Sequence, residues 1–145
     1  MLVVYLLKLI KMNQETFKFH HIGLIVSDME EAIKNYALMF GWNNISEVYT
    51  LESQKVRECF VKNGENCYIG LVSPIGNDSV VSNLVKKGFS YYHLAYKVNN
   101  INDSITFLEK LNYKTLSKFS SEAFDGNLCV FLYTPDGHLI ELIEE

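Results

Sequence analysis

Three residues far apart in the chain are of the types that hold a metal ion or move a proton: His21, His93 and Glu141. Histidine is the commonest metal ligand, and the two histidines lie 72 positions apart. Glu141 sits inside the apolar run Leu139-Ile140-Glu141-Leu142-Ile143. An ionised carboxylate is costly to bury without a partner, so Glu141 either meets a metal or turns to solvent near the C-terminus. Glu144 and Glu145 read as solvated acids, and His138 as an exposed residue at a hairpin edge. His20 precedes His21, and strand alternation places it on the opposite face in a structural role. Phe124-Asp125-Gly126 reads as a loop ahead of the Glu141 strand, a place from which loops often line a cleft.

The spacing of the histidines belongs to a duplication. Phe19–Leu38 aligns without a gap on Tyr91–Lys110, setting His21 on His93, Ile22 on Leu94, Gly23 on Ala95, Val26 on Val98 and Ile33 on Ile105. Each copy begins as an apolar strand and turns into a helix. In the first copy Ser27 and Glu30 suggest a capping box, Met29, Ala32, Ile33, Tyr36 and Phe40 recur at helical spacing, and Gly41 supplies the stop. In the second, Asn99 or Asn100 is the cap, Ile101, Ile105, Leu108 and Leu111 form the buried stripe, and Asn112 takes the place of the glycine. At an offset one residue shorter, Phe60-Val61 falls on Phe131-Leu132 and Ile69-Gly70-Leu71-Val72 on Ile140-Glu141-Leu142-Ile143.

The intervening Asn63–Asn66 and Thr134–Gly137 have hairpin chemistry, so each half reads βαβββ if Asn44–Thr50 and Lys114–Lys118 are strands. Pro74–Gly88 opens with turn residues and continues as a short amphipathic helix. Alternation puts His21 on one face with Gly23, and His93 with Ala95, so small residues leave room beside each imidazole.

These elements predict an α+β fold: an extension over residues 1–18, modules over 19–74 and 90–145, and a linker helix over 75–89. The formal charge of −4 leaves no electrostatic footprint for nucleic acid. The 3 cysteines, Cys59, Cys67 and Cys129, show no CxxC spacing and suit small buried hydrophobes in a reducing cytoplasm. The apolar run before Lys8 is far shorter than the ~20 residues that span a bilayer, and no membrane partner is expected. An upstream start codon, or a short element docked on the domain, accounts for residues 1–11.

With His21-Ile22-Gly23-Leu24-Ile25-Val26, Tyr92-His93-Leu94-Ala95-Tyr96-Lys97-Val98 and the closing Leu139-Ile140-Glu141-Leu142, the sequence resembles the vicinal-oxygen-chelate superfamily from Phe19 to Glu144. Leu71-Val72-Ser73-Pro74, Asp78-Ser79 and Lys86-Lys87-Gly88 make it most similar to the branch of methylmalonyl-CoA epimerases and their relatives. The resemblance implies two βαβββ modules forming a curved sheet around a metal-binding cleft, with His21, His93 and Glu141 as ligands. Two imidazoles and a carboxylate suit one divalent ion among Co, Ni, Mn, Zn and Fe.

Two positions depart from the family pattern. The repeat pairs Glu141 with Gly70, where many relatives carry Glu or Gln, and a water is expected to fill the vacancy. Where epimerases carry a Glu-Gln pair this chain reads Ser53-Gln54, with the carboxylate one residue earlier at Glu52. The implied activity is proton transfer next to a carbonyl, with Glu141 and Glu52 as candidate acid–base groups, a small-molecule substrate such as an acyl-CoA thioester, and a homodimer as the assembly. The rival readings are a glyoxalase I-like lactoylglutathione lyase and a non-catalytic, resistance-type binding protein of the same fold.

Overall fold

The structure, a computed structural model, describes residues 1–6 and 17–145. Residues 2–6 form a short helical turn with exposed side chains. The expectation of an element docked across residues 1–11 lies partly outside the described residues. No helix among the described residues is long and apolar enough to cross a membrane.

The first module runs β1 (Lys18–Ile25), α1 (Met29–Phe40), a 3-10 turn (Trp42–Asn44), β2 (Ile45–Leu51), β3 (Val56–Lys62) and β4 (Tyr68–Pro74). A short helix, α2 (Ser82–Lys86), leads to the second module. That module comprises β5 (Tyr91–Val98), α3 (Ile101–Lys110), β6 (Lys114–Ser121), a 3-10 turn (Glu122–Phe124), β7 (Asn127–Tyr133) and β8 (Leu139–Glu144). All eight strands form one curled mixed sheet in the order β2-β3-β4-β1-β5-β8-β7-β6. Within each module the first strand pairs in parallel with the last, β1 with β4 and β5 with β8. The modules join where β1 and β5 run antiparallel at the centre. The two expected extra strands are β2 and β6, so both halves have the βαβββ order.

Helix α1 starts one position later than a Ser27 cap would allow, and of the two candidate caps of α3 it is Asn100 that is used. Asp28 is extended and its carboxylate accepts the Glu31 N–H at 2.9 Å, while Asn100 accepts the Asp103 N–H at 2.9 Å. The two caps are themselves equivalent in the duplication. Gly41 ends α1 at φ 88°, and Asn112 turns the chain after α3 at φ 66°, both in the region that ordinary side chains avoid. The turn at Asn112 carries Leu111 out of the predicted stripe, and it is exposed. Glu144 is not a free acid: its carboxylate accepts the Ile101 N–H at 2.8 Å, where the helix dipole favours a negative charge.

Alternation along the strands divides the core. Helix α1 lays Met29 on Cys59, Val61 and Leu71. Helix α3 lays Ile101, Ile105 and Leu108 on Val130, Leu132, Ile140 and Leu142. The opposite, concave face holds Ile25, Val56, Val72, Ala95, Phe119 and Ile143 with α2 residue neighbours. Both helices thus cover the convex side and leave the concave side for chemistry. Asp28→Ala and Asn100→Ala should each lower unfolding free energy by about 1 kcal/mol. The double variant should show their sum, because distant sites act independently; urea titration measures both.

Candidate metal centre

The central seam brings the histidines together. In the β1–β5 register His21 stands opposite Ala95 and His93 opposite Gly23, so the imidazoles meet on a diagonal of the concave face. Their Nε2 atoms are 2.9 Å apart. In the β5–β8 register Glu141 is beside Ala95, and this small residue lets the carboxylate reach both rings. Glu141 Oε2 lies 3.4 Å from His21 Nε2 and 3.1 Å from His93 Nε2. His21, His93 and Glu141 are all buried.

The space beside the rings is exchanged between elements rather than supplied two positions along each strand, as alternation suggested. A Cβ at Gly23 would stand 2.5–2.9 Å from three atoms of the His93 ring. A Cβ at Gly70 would stand 2.9 Å from His21 Cδ2 and 3.3 Å from both His21 Nε2 and Phe60 Cε1. The Cβ position at Gly70 is therefore taken up by the His21 ring edge and Phe60.

The donor set fits a divalent ion. Three donors at about 2.0–2.2 Å from one ion stand roughly 3.0–3.5 Å apart, which matches the triangle of 2.9, 3.1 and 3.4 Å. Among the described residues no hydrogen bond satisfies Glu141 Oε2, although it is buried. Such an oxygen is the acceptor a cation would satisfy. The surrounding groups favour the required protonation states. Burial first, partly offset by Glu141, holds His21 below its usual range. Burial also raises Glu141, but the adjoining imidazoles of His21 and His93 outweigh it and hold the carboxyl down at about 2.

His20 departs from simple alternation. The register passes from Phe19–Tyr96 to His21–Ala95, which leaves His20 as the extra residue of a bulge. Its ring turns toward the site, with Nδ1 2.8 Å from His21 Nδ1 and the ring stacked on Tyr68 at 4.8 Å between centroids. Burial first, then the neighbouring His21 and Lys97 charges, lower its pKa to about 4. A neutral His20 can accept a hydrogen bond from the His21 Nδ1–H, fixing His21 with its Nε2 lone pair toward the cluster. Phe124 of the predicted cleft loop stacks over His21 at 6.2 Å and packs against His20 at 5.3 Å.

Glu52 does not reach this cluster. It lies exposed in the β2–β3 turn, where its carbonyl accepts the Lys55 N–H. The carboxyl that β3 carries to the concave face is Glu58, which sequence reasoning missed. Glu58 is 5% exposed and lines, with His93, Glu141, Gln54, Tyr92 and Phe131, a cavity of about 20 Å³. That space holds one water or one bare ion. Burial first, then the negative Glu141, push the Glu58 carboxyl well above the usual carboxylate range.

The family model described as Glyoxalase/Bleomycin resistance protein/Dioxygenase superfamily matches residues 20–143. The mitochondrial methylmalonyl-CoA epimerase of Bos taurus is 29% identical over 129 residues, covering 86% of this chain and 73% of that protein. The crystal structure of methylmalonyl-CoA epimerase from Mycobacterium tuberculosis superposes with a TM-score of 0.77 at 24% identity, over 88% of this chain and 87% of the other. A methylmalonyl-CoA epimerase solved in complex with methylmalonyl-CoA and NH4+ gives a TM-score of 0.77 at 24% identity, over 90% and 95% of the two chains. At these identities the solved structures speak for the fold.

Two outcomes follow from the packing and the charges. Gly23→Ala should cost about 1–3 kcal/mol by driving a methyl into the His93 ring, read as a lower denaturation midpoint; an unchanged midpoint would mean that the seam relaxes freely. For metal-free protein the two carboxyls act in opposite senses. Glu141, depressed when folded, contributes stability that is present above pH 4.5 and lost as pH falls toward about 2. Glu58, raised when folded, contributes stability that is complete below pH 4.5 and lost as pH rises through its folded-state value. His20 and His21, both lowered when folded, contribute in the opposite sense around pH 6.5, so the difference in unfolding free energy between wild type and Glu58→Gln, followed by urea titration against pH, isolates the decline due to Glu58.

Proposed function

This chain belongs to the Glyoxalase/Bleomycin resistance protein/Dioxygenase superfamily, and on that premise we propose that it is a metal-dependent isomerase. In this reading it moves a proton on the carbon next to a carbonyl, and its substrates are 2-methyl-branched acyl-CoA thioesters such as methylmalonyl-CoA. The observation that carries the reading is the buried cluster of His21, His93 and Glu141, whose ligand atoms lie within 4.8 Å of one another. The similarity to the Bos taurus methylmalonyl-CoA epimerase supports the substrate class.

The residues divide the work. His21, His93 and Glu141 would hold one divalent ion, chosen among Co, Ni, Mn, Zn and Fe by its liking for imidazole and carboxylate. A bound ion would polarise the thioester carbonyl and stabilise the negative charge that develops on its oxygen. His20 positions His21 through the Nδ1 contact at 2.8 Å. The carboxylate of Glu141 is a candidate to take the proton from the carbon beside the carbonyl. Phe60, Phe119, Phe124 and Phe131 exclude water around the cluster, which strengthens every charge interaction within it.

A larger cleft of about 710 Å³ shares Gln54, Val80, Tyr92 and Phe131 with the small cavity. Its volume falls in the roughly 300–1,000 Å³ range of small-molecule sites, and it offers the acyl chain a way to the ion. The three free cysteines, two of them buried, support a reducing cytoplasm as the compartment.

Elemental analysis of purified protein should find about one divalent ion per chain, lost in His21→Ala and His93→Ala. In deuterated water, the metal-loaded wild type should exchange the α-proton of methylmalonyl-CoA and interconvert its epimers. Metal-free protein, indifferent to both substitutions, would point instead to a binding module. Metal-loaded protein without exchange would remove the acyl-CoA reading.

A further inference from the structure

The ion-binding cluster is closed off from solvent. None of His21, His93 and Glu141 is more than 4% exposed. The cavity that His93 and Glu141 line measures about 20 Å³, room for one water. A carbonyl group with its neighbouring carbon needs more space than that, so a wall must move before any such compound reaches the site. Beyond the wall lies the cleft of about 710 Å³, which none of the three ligand residues lines.

Gln54, Val80, Tyr92 and Phe131 line both spaces and so form the wall. Tyr92 and Phe131 stand on the sheet strands β5 and β7. Their rings pack on each other at 5.7 Å and on the His93 ring at 4.7 Å and 5.3 Å, and Phe131 also stacks on Phe119. Moving them would disturb the cluster itself. Gln54 and Val80 stand outside the strands, Gln54 in the β2–β3 turn and Val80 in the linker ahead of α2. The linker is the fixed side, since Val81 is fully buried and the Ser82 hydroxyl donates to the Gly76 carbonyl at 2.8 Å.

The turn is held lightly. It joins β2, the edge strand of the sheet, to β3. Lys55 sits at φ 52°, a left-handed conformation that a lysine adopts at a cost, so its own backbone preference does not hold the turn shut. The Ile75 N–H donates to the Lys55 carbonyl at 2.8 Å, and the Val80 N–H donates to the Gln54 carbonyl at 3.4 Å. Lys55 also pairs with Asp78. Both members of that ion pair are exposed, where water replaces such a contact readily.

We propose that the β2–β3 turn, residues 52–55, is a flap over the ion-binding cluster, latched to the linker by Lys55 and Asp78 and opening to join the small cavity to the outer cleft. Such a flap is required on the reading of His21, His93 and Glu141 as an ion site, whichever carbonyl compound that site takes. Opening breaks the two backbone hydrogen bonds and the ion pair, carries Gln54 out of the wall and clears a path to His93 and Glu141. Closing excludes water again, which strengthens the charge interactions inside.

Full-length protein loaded with zinc and challenged with excess EDTA tests the flap. Asp78→Ala and Lys55→Ala should keep the zinc stoichiometry and urea midpoint of the wild type and lose zinc about two- to fivefold faster, the factor that an exposed ion pair supplies. In a Cys67→Ser background, Lys55→Cys with Asp78→Cys, bridged by a cleavable thiol cross-linker, should keep its zinc over the time in which the wild type empties. Reductant should restore the wild-type rate. Hydrogen exchange reads the same motion without metal: the Ile75 and Val80 amides should exchange faster in Asp78→Ala and more slowly in the bridged protein. Zinc loss from the bridged protein at the wild-type rate overturns the flap, and so does equal exchange of the two amides in all these proteins. A lower urea midpoint in both alanine variants with unchanged zinc loss makes the ion pair structural and overturns the latch. A wild type that takes up no zinc overturns the ion-site reading, and the amide exchange then decides the flap alone.

Discussion

Two imidazoles meeting at 2.9 Å across the seam between the duplicated halves set the terms for the rest of the protein. Rings this close demand that the neighbouring backbone carry almost nothing. Position 23 is glycine because the His93 ring lies where its Cβ would be, and position 70 is glycine because the His21 ring and Phe60 occupy that space. Ala95, the register partner of Glu141, is small and fully buried. The antiparallel pairing of β1 with β5 thus does more than join two modules. It turns two copies of one strand into a single ligand-bearing surface, and the helices on the convex side hold that surface in its curl.

The same closeness organises the charges. Glu141 loses hydration on burial, yet the adjoining imidazoles overcome that cost and keep it ionised. Glu58, buried without such neighbours and facing the negative Glu141, is driven the other way. Two carboxyls of the same chemistry are therefore shifted in opposite directions in one cavity. The aromatic residues packed around the cluster keep water from levelling that difference.

The duplicated histidines, the helices and the hairpins were legible because the repeat preserved hydrophobic spacing and cap chemistry over a fixed offset. What the repeat left unpaired was harder to read. His20 was set aside on strand alternation, and a bulge between Phe19 and His21 cancels that rule by adding one residue against β5. Such a bulge leaves no mark in the order of residue types. Glu58 did leave a signal: it stands between Val56 and Phe60 at strand spacing, an acid on an apolar face. Its equivalent in the second half is Cys129, so the repeat carries no mark of it. Glu52 lies nearest in sequence to the expected acid, but the turn that carries it faces solvent.

The asymmetry of the two halves has a physical origin in their symmetry. The first strand of each module contributes one histidine, but the last strand of only the second module contributes an acid. At the equivalent position, 70, a Cβ would already press on the His21 ring and Phe60. With that position closed, the nearest strand from which the first module can direct a carboxyl at the cavity is β3, which pairs Phe60 with Gly70 and Glu58 with Val72. One turn of the pleat past the crowded row, Glu58 enters beyond the reach of the ligand set yet within the same cavity. Glu58 therefore stands outside the cluster of His21, His93 and Glu141 while lining the same cavity.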